Sequence, residues 1–367
     1  MSSAINTFKQ KILRFFINPF SFFDGERETV FDLLKLWALL SVILDHSLQR
    51  WIADSQNLFI YNFIFLSQMP IFFFCSGYFV FHQIKKLENF NNIEKIKYFG
   101  KKTLSFLVPF FVFSLIESIF YNDFSIMYLC VVFPQKSLWF LWCLFIIEAI
   151  MFASQLLSLL LFRKKRALYS FIFFIILLAI PLALYIVNPT FFDNKLILYY
   201  SLFFLLGYTF NYFYKKYFDK TLVFNILFLC SFLCLIIVLF FRPNIIFEDD
   251  NFTNTLVRII GSISSIYVLF YFLNSISNIK FFSNLSKFGR LSLEFYWVHA
   301  VLFLLIPTLR YGEIGYFEFS LYYLIVVLIT FVIIMILKSN YLTNFVCFGK
   351  IFQLRKRSNT SQFMNAN

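Results

Sequence analysis

Ten apolar stretches of roughly 20 residues dominate the chain, each able to cross a bilayer as a helix. They run Phe31–Leu48, Leu58–Phe81, Leu104–Tyr121, Leu138–Phe162, Leu168–Val187, Leu196–Phe213, Leu222–Phe241, Thr255–Ser275, Leu291–Ile306 and Leu321–Leu337. A span in hydrocarbon must satisfy its own backbone, so such runs become packed helices. The expected fold is an all-α polytopic membrane protein of about ten transmembrane helices. Composition sets the exclusions. Only 14% of the residues are charged and 60% are hydrophobic, against roughly 25% charged in a soluble domain. A soluble enzyme, a disordered chain and a coiled coil are thereby ruled out. The segment Phe124–Phe133 is apolar but too short to span, and reads as re-entrant or interfacial.

Basic residues set the expected orientation. The N-terminal arm, the even-numbered connections and the C-terminal tail hold 25 Lys and Arg, while the odd-numbered connections hold five. Lys35 and Arg258 lie inside spans. Both termini are therefore expected in the cytoplasm, and the net charge of +13 is expected on the inner face against anionic lipid. Nucleic-acid binding is the weaker use of that charge. Residues 1–30 read as a cytoplasmic arm. In it Phe8, Ile12, Phe15 and Phe16 fall at helical spacing among Lys9, Lys11 and Arg14, the pattern of a helix lying on the membrane surface rather than a cleavable signal. Residues 31–338 form the ten-helix membrane domain, and 339–367 a cytoplasmic tail, disordered beyond Gly349.

Ionisable side chains inside spans are costly and so mark function. The first span is richest, with Asp32, Lys35, Asp45 and His46. Lys35 and His46 are eleven residues apart, three turns and about 20° further. Asp32, Lys35, Leu39, Val42 and His46 thus form one helix face, its cation and imidazole separated by about 16 Å along the axis. Such a stripe calls for a protein-lined cavity. A neutral imidazole is the usual general base. The blander alternative has Asp32 and Lys35 neutralise each other while His46 makes a structural hydrogen bond. Asp45 lies about 100° round the helix. It is a candidate at the reaction centre, with the outer surface as its alternative. Further candidates are Glu117, Glu148, Arg258, Glu294 and His299. Ser292, Tyr296 and His299 share a face, for which interhelical hydrogen bonding is the structural reading. Trp139 and Trp142 open span four, where Trp is enriched at interfaces. Gly77 is expected to permit close helix packing. The six Cys form no metal-like cluster, those in spans are expected to pack as small apolar residues, and with three His no metal site is expected.

Four segments then resemble signatures of the membrane-bound acyltransferase 3 family, in order and at the expected spans. They are 31–47, with its Asp, a cation three residues on, and His-Ser; 69–78, Met-Pro-Ile-Phe-Phe-Phe-Cys-Ser-Gly-Tyr; 138–142, Leu-Trp-Phe-Leu-Trp; and 291–299, Leu-Ser-Leu-Glu-Phe-Tyr-Trp-Val-His. The resemblance implies transfer of an acyl group, usually acetyl, from cytosolic acyl-CoA to a hydroxyl of an extracytoplasmic sugar, in the cytoplasmic (inner) membrane of a bacterium. It puts His46 as base, and Lys35 where the family often has Arg. Two positions depart from the pattern. Asp45 stands where Gly often precedes the His, and Lys101 and Lys102 precede Pro109 where an Arg pair is common. Lys binds phosphate as a point charge, without the fork of Arg.

On this reading the acetyl-CoA head meets Lys35, with Asp32, Lys101 and Lys102, and the basic run Arg163–Arg166. Asp45, Glu294, Tyr296 and His299 join His46 at the reaction centre, Tyr296 and His299 as candidates to stabilise the oxyanion. Trp139, Glu117 and Arg258 are candidates for the acceptor. The expected partners are acyl-CoA, a surface glycan or lipid-linked sugar and membrane lipid; a homo-oligomer is compatible with the sequence. A polysaccharide or solute transporter is the alternative, against which stands the absence of an internal repeat. An assembly partner without activity is the third reading.

Overall fold

The computed structural model describes residues 28–52, 54–134, 137–188, 191–217, 221–241, 252–306 and 315–350. The N-terminal surface helix and the tail beyond Lys350 lie outside the described residues. The helices are α1 (Thr29–Trp51), α2 (Phe59–Val80), α3 (Gln83–Asn89), α4 (Asn92–Phe120), α5 (Ser125–Val132), α6 (Trp139–Leu161), α7 (Arg166–Leu177) and α8 (Ala179–Val187). They continue with α9 (Asn194–Tyr217), α10 (Thr221–Phe241), α11 (Phe252–Ile276), α12 (Lys280–Ser286), α13 (Ser292–Leu305), α14 (Tyr316–Ser339) and α15 (Tyr341–Phe348). No strand occurs among the described residues.

Eight helical segments are long and apolar enough to cross a membrane. Helices α1 and α9 have the length, at 23 and 24 residues, but are more polar. The first carries Asp32, Lys35, Asp45 and Arg50, and the second Tyr199, Tyr200, Tyr208 and Asn211. Together they follow the order of the ten expected spans. Their polarity matches their place, because α1 and α2 lie at the centre of the bundle, where almost every α1 residue is buried or half-buried.

Boundaries shift where polar residues extend a helix past its apolar core. Helix α4 begins at Asn92, twelve residues ahead of the expected span, because Asn91 and Glu94 close a reciprocal capping box. Lys101 and Lys102 therefore stand on a helix rather than in a connection. Span five is broken between α7 and α8 beside Pro181, which has no N–H and clashes with the preceding turn. In α2, Pro70 leaves the carbonyl of Leu66 without its intrahelical donor, and Ser265 of α11 donates to that oxygen at 3.3 Å. One lost backbone bond thus becomes a bond between helices. Residues 341–348 form α15, which packs on α4. Cys75 and Cys143 pack in the interior as expected, whereas Cys230 and Cys234 are exposed on the outside of α10, where lipid can cover an apolar thiol as well as protein can.

A very close crossing joins α2 and α9. A Cβ on Gly77 would lie 1.9 Å from the carbonyl oxygen of Phe204, and one on Gly207 would lie 1.9 Å from that of Phe74. Each glycine faces the backbone three residues before the other, so the contact is reciprocal. Backbones this close gain dispersion contacts that lipid cannot supply. Asn211 adds a bond at 3.1 Å to the Tyr78 carbonyl. Gly77→Ala is expected to destabilise the protein in detergent by about 1–3 kcal/mol, the usual cost of overpacking. Gly207→Ala should cost a similar amount, and thermal unfolding of the double variant should show a smaller loss than the two added, because both substitutions part the same helices.

Candidate functional site

Two clusters occupy opposite ends of α1. At the first, the Asp32 carboxylate is fully buried between cations. Arg290 Nε donates to its Oδ2 at 2.9 Å and Lys35 Nζ lies 3.6 Å from Oδ1. Arg290 belongs to a 3₁₀ turn, Lys287–Leu291, that leads into α13. Its neighbour Gly289 permits the approach, since a Cβ there would sit 1.9 Å from the Asp32 carbonyl oxygen. The Lys35 ammonium also lies 4.3 Å from the centre of the Phe79 ring, a cation–π contact. Asp32 and Lys35 thus do not simply neutralise one another. They form a three-membered group to which α13's lead-in contributes the second cation.

At the second cluster, His46 meets His299 of α13, with ring centroids 5.6 Å apart and nearly parallel planes. Phe303 closes one side of both rings. His299 Nδ1 lies 2.8 Å from the carbonyl oxygen of Phe295. That oxygen can only accept, so Nδ1 carries the proton and Nε2 of the neutral ring presents a lone pair. Neutral His299 is therefore an acceptor toward the site, which removes it as a neutral donor to an oxyanion. An aromatic wall continues from it. Tyr296 meets His299 at 5.5 Å and Phe140 at 5.0 Å; Phe73 joins Phe140 to Tyr200, and Trp139 stacks on Tyr200 at 5.2 Å. Among the described residues Trp139 is linked to His46 through these rings, meeting Phe140 directly at 6.3 Å as well.

Asp45 is buried, not on the outer surface. It accepts from Gln49 Nε2 and Gln68 Nε2, both at 3.0 Å, and Gln49 Nε2 also lies 2.9 Å from the Tyr61 hydroxyl. It makes no hydrogen bond to His46, consistent with its different helix face.

The remaining candidates lie elsewhere. Glu294 is fully buried in the first turn of α13 and holds Lys338 Nζ at 2.8 Å and Lys350 Nζ at 2.6 Å. It belongs to the Arg290 end of α13, away from His299. Lys102 pairs with the buried Glu148 of α6, while Lys101 is exposed. Arg166 of the expected basic run binds Glu88 at 3.1 Å. Glu117, near the far end of α4, accepts from the Cys130 thiol at 3.8 Å. Arg258 sits half-buried in the second turn of α11. Sequence reasoning missed Arg290, Gln49, Gln68, Lys338 and Lys350 as parts of these groups. A Gly-Arg pair directly before the 291–299 segment was the available signal for the first.

The end of the bundle holding Asp32 is rich in cations around few anions. Two cations attend Asp32 and two attend Glu294, so each buried carboxylate leaves a positive excess. The last described helix, α15, shapes this end. Gly349, at φ +62°, lets the chain turn so closely that a Cβ would be 2.0 Å from the Leu104 carbonyl oxygen. Phe348 meets Trp297 edge-on, and Trp297 Nε1 donates to the Pro109 carbonyl at 2.9 Å.

Among known proteins, the chain matches one family model, described as an acyltransferase domain, over residues 29–338. No curated protein and no solved structure matches it. The matched stretch spans α1 to α14 and includes both ends of the α1–α13 pair.

Arg290→Ala would leave Asp32 buried with Lys35 as its remaining cation. Removing one partner of a buried ion group costs about 3–5 kcal/mol, so a large fall in melting temperature in detergent is expected. Arg290→Lys should recover part of it, since a single ammonium replaces the charge but not the fork.

Proposed function

Because this chain belongs to the acyltransferase 3 family and is a multi-pass membrane acyltransferase, we propose that it transfers acetyl from acetyl-CoA to a hydroxyl of a surface polysaccharide or its lipid-linked precursor in the bacterial cytoplasmic membrane. The observation that carries this reading is the pairing along α1. A cation-rich group stands at one end, a two-histidine site near the other, and α13 contributes to both. A charged donor made in the cytosol and an acceptor outside need such a separation. The termini then lie in the cytoplasm, the side that the distribution of basic residues favours.

The donor's phosphates are drawn to the positive excess around Asp32 and Glu294, with exposed Lys101 nearer solvent. Lys35 and Arg290 are already held in place by Asp32, so little side-chain freedom is lost on binding. The acyl thioester lies along α1 toward His46. His46 takes the proton of the acceptor hydroxyl as its oxygen attacks the thioester carbon. The C–O ester bond forms, the C–S bond breaks, and the proton passes to the departing thiolate of CoA. The lone pair on His299 Nε2 can accept from a second hydroxyl of the acceptor and so orient it. The half-buried Trp139 offers a face for a sugar ring at the far end of the aromatic wall.

Two imidazoles stacked this closely cannot both carry a proton cheaply, because like charges repel strongly out of water. One takes the proton while the other stays neutral, which is the division of labour assigned here.

His46→Ala is expected to abolish acylation with protein level and polymer export unchanged, read as loss of O-acetyl signals in NMR of the surface polysaccharide. Retained signals would remove His46 as the base. Accumulation of unexported polymer in a deletion strain would favour transport instead. Lys35→Ala should raise KM for acetyl-CoA about tenfold or more through loss of a charged contact, and Lys35→Arg should keep it near the parent value. Consumption of the thioester by the purified protein is the direct check on both.

A further inference from the structure

Asp45 is a carboxylate buried in the interior of a membrane helix with no cation bonded to it among the described residues. That burial is expensive, and the protein holds the group by uncharged side-chain donors, Gln49 Nε2 and Gln68 Nε2 each at 3.0 Å and the Tyr61 hydroxyl beside them. Donors that converge on a carboxylate favour its charged form and so oppose the cost of burying it.

We propose that Asp45 is a positioning residue for the acyl transfer: a fixed negative charge, clamped by Gln49 and Gln68, that stabilises the imidazolium formed when His46 takes the acceptor's proton. The inference rests on His46 being the base. It differs from a triad, since Asp45 does not touch the imidazole and acts through the field. The groups around His46 show why a field is needed. On α1, Arg50 lies one turn away, its guanidinium 5.3 Å from the centre of the Phe303 ring and bonded to the Ile306 carbonyl at 2.8 Å. A positive charge there disfavours a second cation beside it, and a carboxylate favours one. From α2 comes Tyr61, from α13 Tyr296 and His299, and from α14 Tyr322 beside Trp51 and Tyr323, which donates to the Leu40 carbonyl. Tyr121, the residue after α4, lies near Arg50. Asp45 is the carboxylate among these groups. It stands at the position where the family pattern often has Gly, so the device belongs to this chain rather than to the shared machinery.

The test is the pH–rate profile of acetyl-CoA consumption by the purified full-length protein, with unacylated polysaccharide from a deletion strain as acceptor. Asp45→Asn keeps the shape and lets Gln68 turn over to satisfy itself, so folding should survive. Without the negative charge His46 holds a proton less tightly, so the acid limb should move to lower pH by about one unit. The kcat on the plateau should fall about tenfold, because a weaker base helps less, with KM for acetyl-CoA unchanged. Asp45→Glu should keep the limb near its parent position. A limb left in place, or a loss confined to melting temperature, would overturn the proposal. Should Asp45→Asn fail to accumulate, Gln49→Leu decides, with a smaller shift of the limb in the same direction expected and an unmoved limb overturning the idea. His46→Ala separates the two readings. Turnover in that variant removes the base itself, whereas an inactive His46→Ala with an unmoved Asp45→Asn limb removes only the role given to Asp45.

Discussion

The bond between Arg290 and Asp32 is the contact on which the site depends. It fastens the lead-in of α13 to the start of α1, and Gly289 brings the two backbones together at the same point. Both helices run away from this point in the same direction. With one end of the pair fixed, the register of the other is fixed too, and His299 arrives opposite His46. Salt bridges in apolar surroundings give little net stability against an apolar replacement. Their value is that no shifted register can satisfy the buried carboxylate, so the wrong alignment of α13 is penalised heavily.

Around this pair the bundle relies on backbone approach and on repair of broken helices. The Gly77–Gly207 crossing supplies close contact where the hydrophobic effect gives nothing, since lipid is as apolar as the helices. An interruption of a helix is also used: the carbonyl freed by Pro70 receives Ser265. In hydrocarbon a free carbonyl finds no water, so a proline here becomes an instruction about which helix packs beside it.

Much of the fold was legible because the membrane simplifies the code. Length and apolarity give the spans, and intramembrane charge marks α1 as the helix of the candidate site. The Asp32, Lys35 and His46 stripe follows from helical spacing alone. The partners of these residues were not legible, because pairing across helices has no local period. Arg290 is 258 positions from Asp32 and reads in sequence as one more basic residue of a connection. Glu294 sits five residues before His299, and its burial against Lys338 and Lys350 depends on how α14 and α15 return to the bundle. Gln49 and Gln68 carry no charge and escaped a search for ionisable groups, although a buried anion needs uncharged donors as much as cations. Asp45 itself was placed correctly off the His46 face, but spacing could not separate an inward from an outward direction.

The turn at Gly349 has a consequence for the order in which the protein is made. Glu294 lies buried at the start of α13, and both of its cations come from residues synthesised later, Lys350 last among the described ones. Until that lysine has left the ribosome, the helix carrying His299 holds a buried carboxylate whose compensation is incomplete. The candidate site is thus coupled to a segment that touches none of it. It settles only after α15 has docked, later than the helices that line it.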